Sequence, residues 1–537
     1  MKTKLKILFL LLLFAGTLAA QSDPVTATKA TDFLNSIGVN TAVSTRGENL
    51  EKTIEILKYT GFRWVRLGYN PVHLIATEDM IALGNEGFKV TYGTGSGVPN
   101  GKAAEYIERV IDIAGTLADN NCLLAIEGPN EPNGENWAVW YDGVKGGGKN
   151  AATWVPVAQF QRDLYSAVKS DAKLKNYPVW GISEIGAETD NSGLQYLTIP
   201  EGANTLMPAG TQFADFANIH NYFVHPSFSG LHLNQTWISA SPGSDCKVDG
   251  LYGNQGKTWY KGFTGYSEAQ LETLPRVTTE TGTTIEGKFT EEMQGYMYMS
   301  MYLAQFKRNW SYTSIYLLRD RSDEAGNQSF GFYSKDYVPR KSALYLHNLT
   351  TILDDKGVLE TPEAFGYSIP NQPASTHDLL LQKSNGNFEL IVWAERFAGY
   401  SDNATVKFSE PQAKVKLYNP VVGTTPIETY ENVSEIPLTM TMHPYIIEIV
   451  RSEESAIDSP EETSAVKAFF LQGANQIQLV NAGNISEISL YNLTGNLILK
   501  KNKPKSVISV ENLETGIYLI RLKDINGNVS VFKTIKL

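Results

Sequence analysis

The sequence predicts an α/β chain: a (β/α)8 TIM barrel, then a small β-sandwich and a C-terminal β-rich domain. Three observations predict it. From about residue 30 to 350, short apolar segments alternate with amphipathic stretches of helical period, the pattern of βα units. Past about Lys356 the helical period disappears, and short strand-like runs separated by turns take over. The stretch Ser452–Glu462 is acidic and rich in Ser and Pro, as a linker is, and the chain beyond it is β-rich again. The expected divisions are a signal peptide over 1–20, the barrel over 21–355, the sandwich over 356–452, a linker over 453–466 and a final domain over 467–537.

Eight barrel strands are expected at Gly38–Ala42, Arg63–Leu67, Phe88–Thr91, Leu123–Glu127, Val179–Ser183, Phe216–His220, Arg276–Glu280 and Ser314–Leu318. Between them, Glu48–Thr60 places Leu50, Ile54 and Leu57 on one helical face, and Lys102–Ala118 does so with Tyr106, Val110 and Ile113. Two long insertions follow strands and so belong on the catalytic face. Asn133–Asn150 is rich in Gly and Trp, and Pro226–Gly265 in Gly, Ser and aromatic residues. In the sandwich, Leu379–Leu381, Phe388–Trp393, Thr405–Phe408, Lys414–Tyr418 and Ile446–Val450 read as strands. Turn signals at Thr494-Gly495-Asn496 and Asn526-Gly527-Asn528 mark hairpins in the last domain.

The N-terminus carries Lys2, Lys4 and Lys6, then an apolar run from Ile7 to Phe14, then small residues to Ala20. That order is a secretory signal peptide, and the run is shorter than the roughly 20 residues a membrane helix needs. No later run of that kind occurs, so no integral membrane span is expected. The formal net charge is −11, or −14 once those three lysines are removed. Such a surface repels polyphosphate, which argues against nucleic acid and fits a neutral glycan. Two cysteines make no disulfide framework. Cys122 reads as a buried thiol within an apolar run, with a bridge to Cys246 left open.

The chemistry lies at two strand ends. In Ile126-Glu127-Gly128-Pro129-Asn130-Glu131-Pro132-Asn133 an apolar strand is stopped by Gly and Pro, which presents Glu131 at the barrel mouth. Glycoside hydrolysis needs a carboxylic acid to protonate the leaving oxygen, and the Asn130 amide beside it can bond a sugar hydroxyl. Val277-Thr278-Thr279-Glu280-Thr281-Gly282 ends another apolar strand, and Glu280 falls where it opens into a loop. A retaining mechanism needs such a second carboxylate, ionised and close to the first. Each glutamate alone could be a solvated turn residue; two, on strands four and seven, are a constellation.

Supporting residues have two readings each. Arg66 can keep Glu280 ionised or pair with a structural carboxylate. Tyr222 can donate to Glu280 or simply pack, and His220 reads as a polar wall residue rather than a proton carrier. Trp137, Trp140, Tyr141, Trp259 and Tyr260 can stack on sugar rings or anchor their loops. Other motifs fail: Gly93-Thr94-Gly95-Ser96-Gly97 lacks dinucleotide spacing, Asn85-Glu86 precedes its strand, and His220 and His225 lack metal-ligand partners. No metal or other cofactor is expected.

Asn-Glu-Pro closing strand four together with a strand-seven glutamate resembles clan A of the glycoside hydrolases, the (β/α)8 group of retaining enzymes. The resemblance covers about residues 30–350 and the sandwich behind it. It implies Glu131 as acid/base, Glu280 as nucleophile and Asn130 as the residue beside the acid/base. His220 and Tyr222 stand where the clan has a His or Tyr near the nucleophile, and Arg66 where it has a strand-two arginine. Phe330-Gly331-Phe332-Tyr333 and Pro339-Arg340-Lys341 resemble the segment leading into the last helix. Strand eight, ending Tyr316-Leu317-Leu318-Arg319-Asp320, departs from the clan in lacking a tryptophan platform.

The C-terminal run Val510-Glu511-Asn512-Leu513-Glu514-Thr515-Gly516-Ile517-Tyr518-Leu519, with Tyr491-Asn492-Leu493-Thr494-Gly495, resembles the type IX secretion sorting domain of Bacteroidota. A carbohydrate-binding β-module is the alternative. The likeness implies secretion machinery as a partner and a secreted or cell-surface protein. The expected function is a secreted retaining β-glycosidase on extracellular polysaccharide, placed first as an endo-β-glucanase on β-1,3-glucan. Xylan, mannan or algal galactan as substrate, an inactive glycan-binding surface protein, and an adhesin are the competing expectations.

Overall fold

The computed structural model describes residues 23–67, 75–95, 97, 101–132, 139–147, 155–183, 185–187, 212, 214–223, 233–240, 274–287, 289–321, 323, 329–397, 399–451, 467–471, 476–480, 482–492, 496–511, 513–514 and 516–536. The expected signal peptide and linker, Cys246, Trp137, Trp259 and Tyr260 lie outside the described residues. The chain divides into two compact units, Met1–Ser452 and Glu453–Leu537.

The first unit contains the barrel. Its strands are β1 (Ile37–Asn40), β2 (Trp64–Leu67), β3 (Lys89–Gly93), β4 (Leu123–Glu127), β5 (Val179–Trp180), β6 (Ala217–Tyr222), β7 (Arg276–Thr278) and β8 (Trp310–Ile315). All neighbours pair in parallel, β8 returns to β1, and a parallel bridge from Trp180 to Phe216 closes β5 on β6. Helices Leu50–Thr60, Thr77–Asn85, Ala103–Asp119, Val155–Ser170, Glu291–Lys307 and Lys341–Ile352 lie between or after the strands. Local chemistry sets their ends. The Asn49 side chain accepts from the Lys52 N–H at the start of Leu50–Thr60, and Thr290 does the same for Glu291–Lys307.

Two expectations shift. Ile113 is only half-buried on its helix, whose buried face is Tyr106, Ile107, Val110, Ala114 and Leu117. Strand eight begins four residues before the expected Ser314: Tyr312 packs into the barrel floor, and Trp310 is buried on the other side, where its indole donates to the Ala240 carbonyl.

Side chains inside the barrel are layered, since alternate residues of each strand point inward. The floor is aromatic: Trp64, Trp180, Phe216 and Tyr312 pack with Ala125 and Val277. Trp64 and Trp180 meet edge to face at 5.6 Å. Gly38 makes this floor possible, because a Cβ there would lie 2.1 Å from the Trp64 indole. Above the floor the inward residues turn polar: Asn40, Arg66, Glu127, Asn218, Thr279 and Ser314 are all buried.

A seven-stranded sheet packs beside the barrel. Phe388–Ala394 and Tyr445–Ile449 are at its centre, and Thr28–Lys29 from the start of the chain adds a parallel edge strand beside Thr376–Gln382. Phe388–Ala394 is buried on both faces, which explains its unbroken apolar run. Leu379, Leu381, Ile391, Trp393 and Ile446 join the barrel's core, while Leu380, Leu390, Val392, Ile447 and Ile449 form the sandwich's own. The expected strands Thr405–Phe408 and Lys414–Tyr418 are one strand, Asp402–Tyr418, with a register shift between Lys407 and Gln412. Its partner Glu428–Met440 escaped the sequence reading because most of its residues are polar and exposed.

One contact ties sandwich to barrel loop. The buried Glu395 carboxylate accepts from the Thr236 N–H (2.8 Å), the Thr236 hydroxyl (2.6 Å) and the Trp237 N–H (3.2 Å). These belong to the short helix Gln235–Ser239 after β6. Trp237 stacks on His377 of the sandwich with centroids 3.9 Å apart.

The second unit is two antiparallel sheets. One orders Lys467–Leu471, Gln476–Val480 and Val507–Ser509; the other orders Leu497–Asn502, Ile485–Asn492, Gly516–Asp524 and Val529–Lys536. Ile477, Ile488, Leu490, Ile520 and Leu522 are in the core between them. Gly527 turns the last hairpin with φ of 90°, and Asp524 caps that turn by accepting from the Asn526 and Asn528 N–H groups.

Two stability outcomes follow from this packing. Gly38→Ala should lower the stability of the barrel unit by about 1–3 kcal/mol, read as a fall in its thermal midpoint. Burial pushes the Glu395 pKa from 4.5 up to about 7, so the folded state holds a proton that the unfolded state has lost across that interval. Its contribution is therefore complete below about pH 4.5 and lost as pH rises through 7. The buried His377, held down at about 3, runs the opposite way below its ordinary value of 6.5, so the variant comparison isolates the glutamate. Glu395→Gln should gain on the wild type by the order of a few kcal/mol between those limits, measured by denaturant unfolding at each pH.

Candidate active site

At the mouth of the barrel two carboxylates and an imidazole converge. Glu131 lies four residues past the end of β4, Glu280 two past β7, and His220 on β6. One ligand atom from each lies within 4.8 Å of the others. His220 Nδ1 is 2.7 Å from Glu131 Oε1 and 3.5 Å from Glu280 Oε2. Glu131 sits in the left-handed region with φ of 45°, between Pro129 and Pro132, and its N–H donates to the Ser183 carbonyl at 2.8 Å. A non-glycine residue held there is strained, and such strain gathers at functional sites.

Arg66 organises the layer beneath. Its Nε and Nη2 donate to the two oxygens of Glu127 at 2.8 and 2.7 Å, a two-point pair. Nη2 also donates to Asn130 Oδ1 at 2.8 Å, and Nη1 to Glu280 Oε1 at 2.5 Å and Asn40 Oδ1 at 3.2 Å. All five guanidinium N–H groups are thereby used. Burial opposes the charge on Arg66, but Glu127 and Glu280 more than offset it and move its pKa upward.

Tyr222 donates to Glu280 Oε2 at 2.8 Å. Burial alone would raise the Glu280 pKa. Attraction to His220 and Arg66, with hydrogen bonds from Tyr222 and Arg66, holds it below the usual carboxylate value. Burial and the nearby Glu280 and Glu131 charges push the Tyr222 phenol well upward, so it remains a donor. Of the three converging residues, the two carboxylates reach the cleft: the Glu131 and Glu280 side chains are 15% and 13% exposed, against 0% for His220.

Glu131, His220 and Glu280 have the donor types of a metal site. Yet both Glu280 oxygens already accept from Arg66 and Tyr222, and a guanidinium beside them disfavours a second cation. The arrangement is that of one ionised carboxylate facing a second carboxyl across a small gap.

The structure therefore brings together six residues singled out in the sequence: Glu131, Glu280, Asn130, Arg66, His220 and Tyr222. Trp140 is half-buried on the hairpin Val139–Tyr141/Val144–Gly146. The neighbouring Tyr141 bonds Asp163 of Val155–Ser170 at 2.7 Å and so anchors that hairpin. At the end of β8, Tyr316 and Tyr222 both pack edge-on against Phe330. Arg340 pairs with Asp320 and leads into Lys341–Ile352.

Sequence reading missed Glu127, Asn40, Asn218 and Thr279 as parts of the site. Glu127 was read only as a strand end, although a glutamate closing the run Leu-Leu-Ala-Ile, opposite an arginine closing Trp-Val, is itself a signal of a buried pair.

The C-terminal segment 472–536 matches the model of the secretion system C-terminal sorting domain family. The protein is accordingly secreted or carried at the cell surface. No described helix is long and apolar enough to cross a membrane. No curated protein matches the chain. Among solved structures, it is similar to a family 39 glycoside hydrolase from the gut symbiont Bacteroides cellulosilyticus WH2, at 13% identity over 78% of this chain and 82% of that one, with a TM-score of 0.49. It is also similar to a glucosidase from Croceicoccus marinus, at 11% identity over 80% and 98% of the two chains, with a TM-score of 0.46. An endo-beta1,6-glucanase is similar at 10% identity over 81% and 93%, with a TM-score of 0.43.

Removing Arg66 would leave the buried Glu127 charge uncompensated. Arg66→Met should lower stability by about 3–5 kcal/mol in denaturant unfolding.

Proposed function

We propose that this protein is a secreted retaining β-glycoside hydrolase acting on extracellular polysaccharide. The observation that carries the reading is the pair Glu131 and Glu280 at the ends of β4 and β7, with carboxylate oxygens within 4.8 Å. Retaining enzymes hold their two carboxyl groups about 5–5.5 Å apart, whereas inverting enzymes leave room for a water at roughly 6.5–9.5 Å. The short gap favours retention.

Each residue then has a role. Glu280, kept ionised by Arg66 and Tyr222, attacks the anomeric carbon. Glu131 gives its proton to the departing glycosidic oxygen, and a glycosyl ester forms on Glu280. Glu131 then takes a proton from water, whose oxygen attacks the anomeric carbon and releases Glu280. Asn130 turns its Oδ1 to Arg66, which leaves its amide N–H groups for a sugar hydroxyl.

For the substrate, a β-glucan cut internally is placed first, with the β-1,3 linkage ahead of others. Two long insertions after barrel strands suit a cleft that holds a chain. The sorting domain supports action outside the cell.

Reducing-sugar release from β-glucans, xylan, mannan and algal galactans, measured on the mature protein, tests this. One polymer should be cleaved, and Glu131→Gln and Glu280→Gln should each lower the rate by about 10²-fold or more. Cleavage that survives both substitutions would mean other carboxylates do the work. Binding without cleavage across the panel would identify a glycan-binding protein instead.

A further inference from the structure

His220 is fully buried and both its ring nitrogens are engaged, Nδ1 with Glu131 and Nε2 with Thr279 Oγ1 at 3.0 Å. Which nitrogen carries the proton is decided by Thr279. Its hydroxyl has one proton and three polar neighbours: His220 Nε2, Glu127 Oε1 at 2.9 Å and Asn218 Oδ1 at 3.0 Å. The Glu127 oxygens accept from Arg66 and from Asn218 Nδ2, so Glu127 acts as an acceptor. Asn218 Nδ2 also faces the Gly181 carbonyl at 3.3 Å, which fixes its other amide atom as the oxygen. The Thr279 proton therefore goes to Glu127 or Asn218. Its lone pair is left for an N–H, and Nε2 must supply it.

We infer that Glu127 and Thr279 lock His220 with a proton on Nε2, so that His220 Nδ1 and Glu131 share one proton between them. His220 is thus a positioning residue for the acid/base, acting through Glu131, and Thr279 and Glu127 position His220 in turn. The shared proton rests on Glu131 Oε1 as O–H donating to Nδ1, or on Nδ1 as N–H donating to the carboxylate. Glu280 Oε2 also lies 3.5 Å from Nδ1, but Glu131 Oε1 at 2.7 Å is the nearer partner and takes the hydrogen bond. The charged and titratable groups facing the pair are Glu280 after β7, Arg66 on β2, Glu127 on β4 and Tyr222 on β6, with Tyr316 beyond Phe330. The catalytic consequence rests on the glycosidase reading; the tautomer does not.

The test is nitrogen NMR of the full-length protein labelled with 15N-histidine. Seven histidines are present, and the His220 signals are those lost in His220→Gln. The expected result is a protonated Nε2 at every pH between about 5 and about 8, with changes confined to Nδ1. Thr279→Val should release the other tautomer, and Thr279→Ser should restore the single one. With the cleaved substrate in hand, Thr279→Val should slow glycosides with poor leaving groups about tenfold or more, and spare those that need no acid assistance. A bare Nε2 in the wild-type spectrum would overturn the inference by itself, whatever the variants do. A Val variant that folds and keeps the single tautomer would also overturn it. Absence of any glycoside cleavage would sink the functional reading, while the spectrum still decides the tautomer.

Discussion

The buried guanidinium of Arg66 is the constraint on which the rest of the site depends. A cation inside a barrel is tolerable only with compensating charge and a full set of hydrogen bonds. Glu127 supplies two of those bonds from the same depth, and Glu280, Asn130 and Asn40 take the others. Since Glu127 fixes the guanidinium, the remaining N–H groups of Arg66 point to fixed places. Glu280 meets one of them, and its ionised form is stabilised there, as the proposed mechanism requires of its nucleophile. The Arg66–Glu127 pair can be read as structural and the Arg66–Glu280 contact as functional, but the first aims the second.

The polar layer needs a dry floor and steady walls. Trp64 and Trp180 close the barrel below it, with Gly38 leaving room for the indole. The wall at β6 is steadied from outside the barrel. Asn221, between His220 and Tyr222, donates to the Ser239 carbonyl at 3.1 Å, and that short helix is held at its other end by Glu395 of the sandwich. A sandwich carboxylate thus lies a few hydrogen bonds from the strand carrying Asn218, His220 and Tyr222. This is a physical reason for barrel and sandwich to share one continuous core.

Much of this was legible before any coordinates. The βα alternation located all eight strands, because parallel strands buried on both faces leave short apolar runs that few other patterns imitate. Strand eight was misplaced by four residues, since the aromatic Tyr312 shows its role only once Trp64 and Trp180 are seen to pack against it. Glu131 and Glu280 stood out because they follow apolar strands directly. Glu127, Thr279 and Asn218 did not, because a polar residue facing the barrel axis differs from one at a strand end only in three dimensions. Glu428–Met440 was missed for a related reason: it pairs at an edge and buries little, so its composition is that of a loop.

The central claim is that Glu280 forms a glycosyl ester while Glu131 acts from the other side of the sugar. The most direct measurement is the anomeric configuration of the first product, followed by proton NMR during hydrolysis of the polymer that the protein cleaves. Release of the β-anomer before mutarotation is the result predicted for two carboxylates this close. Release of the α-anomer would mean a single inverting displacement, and would contradict the assignment of Glu280 as nucleophile.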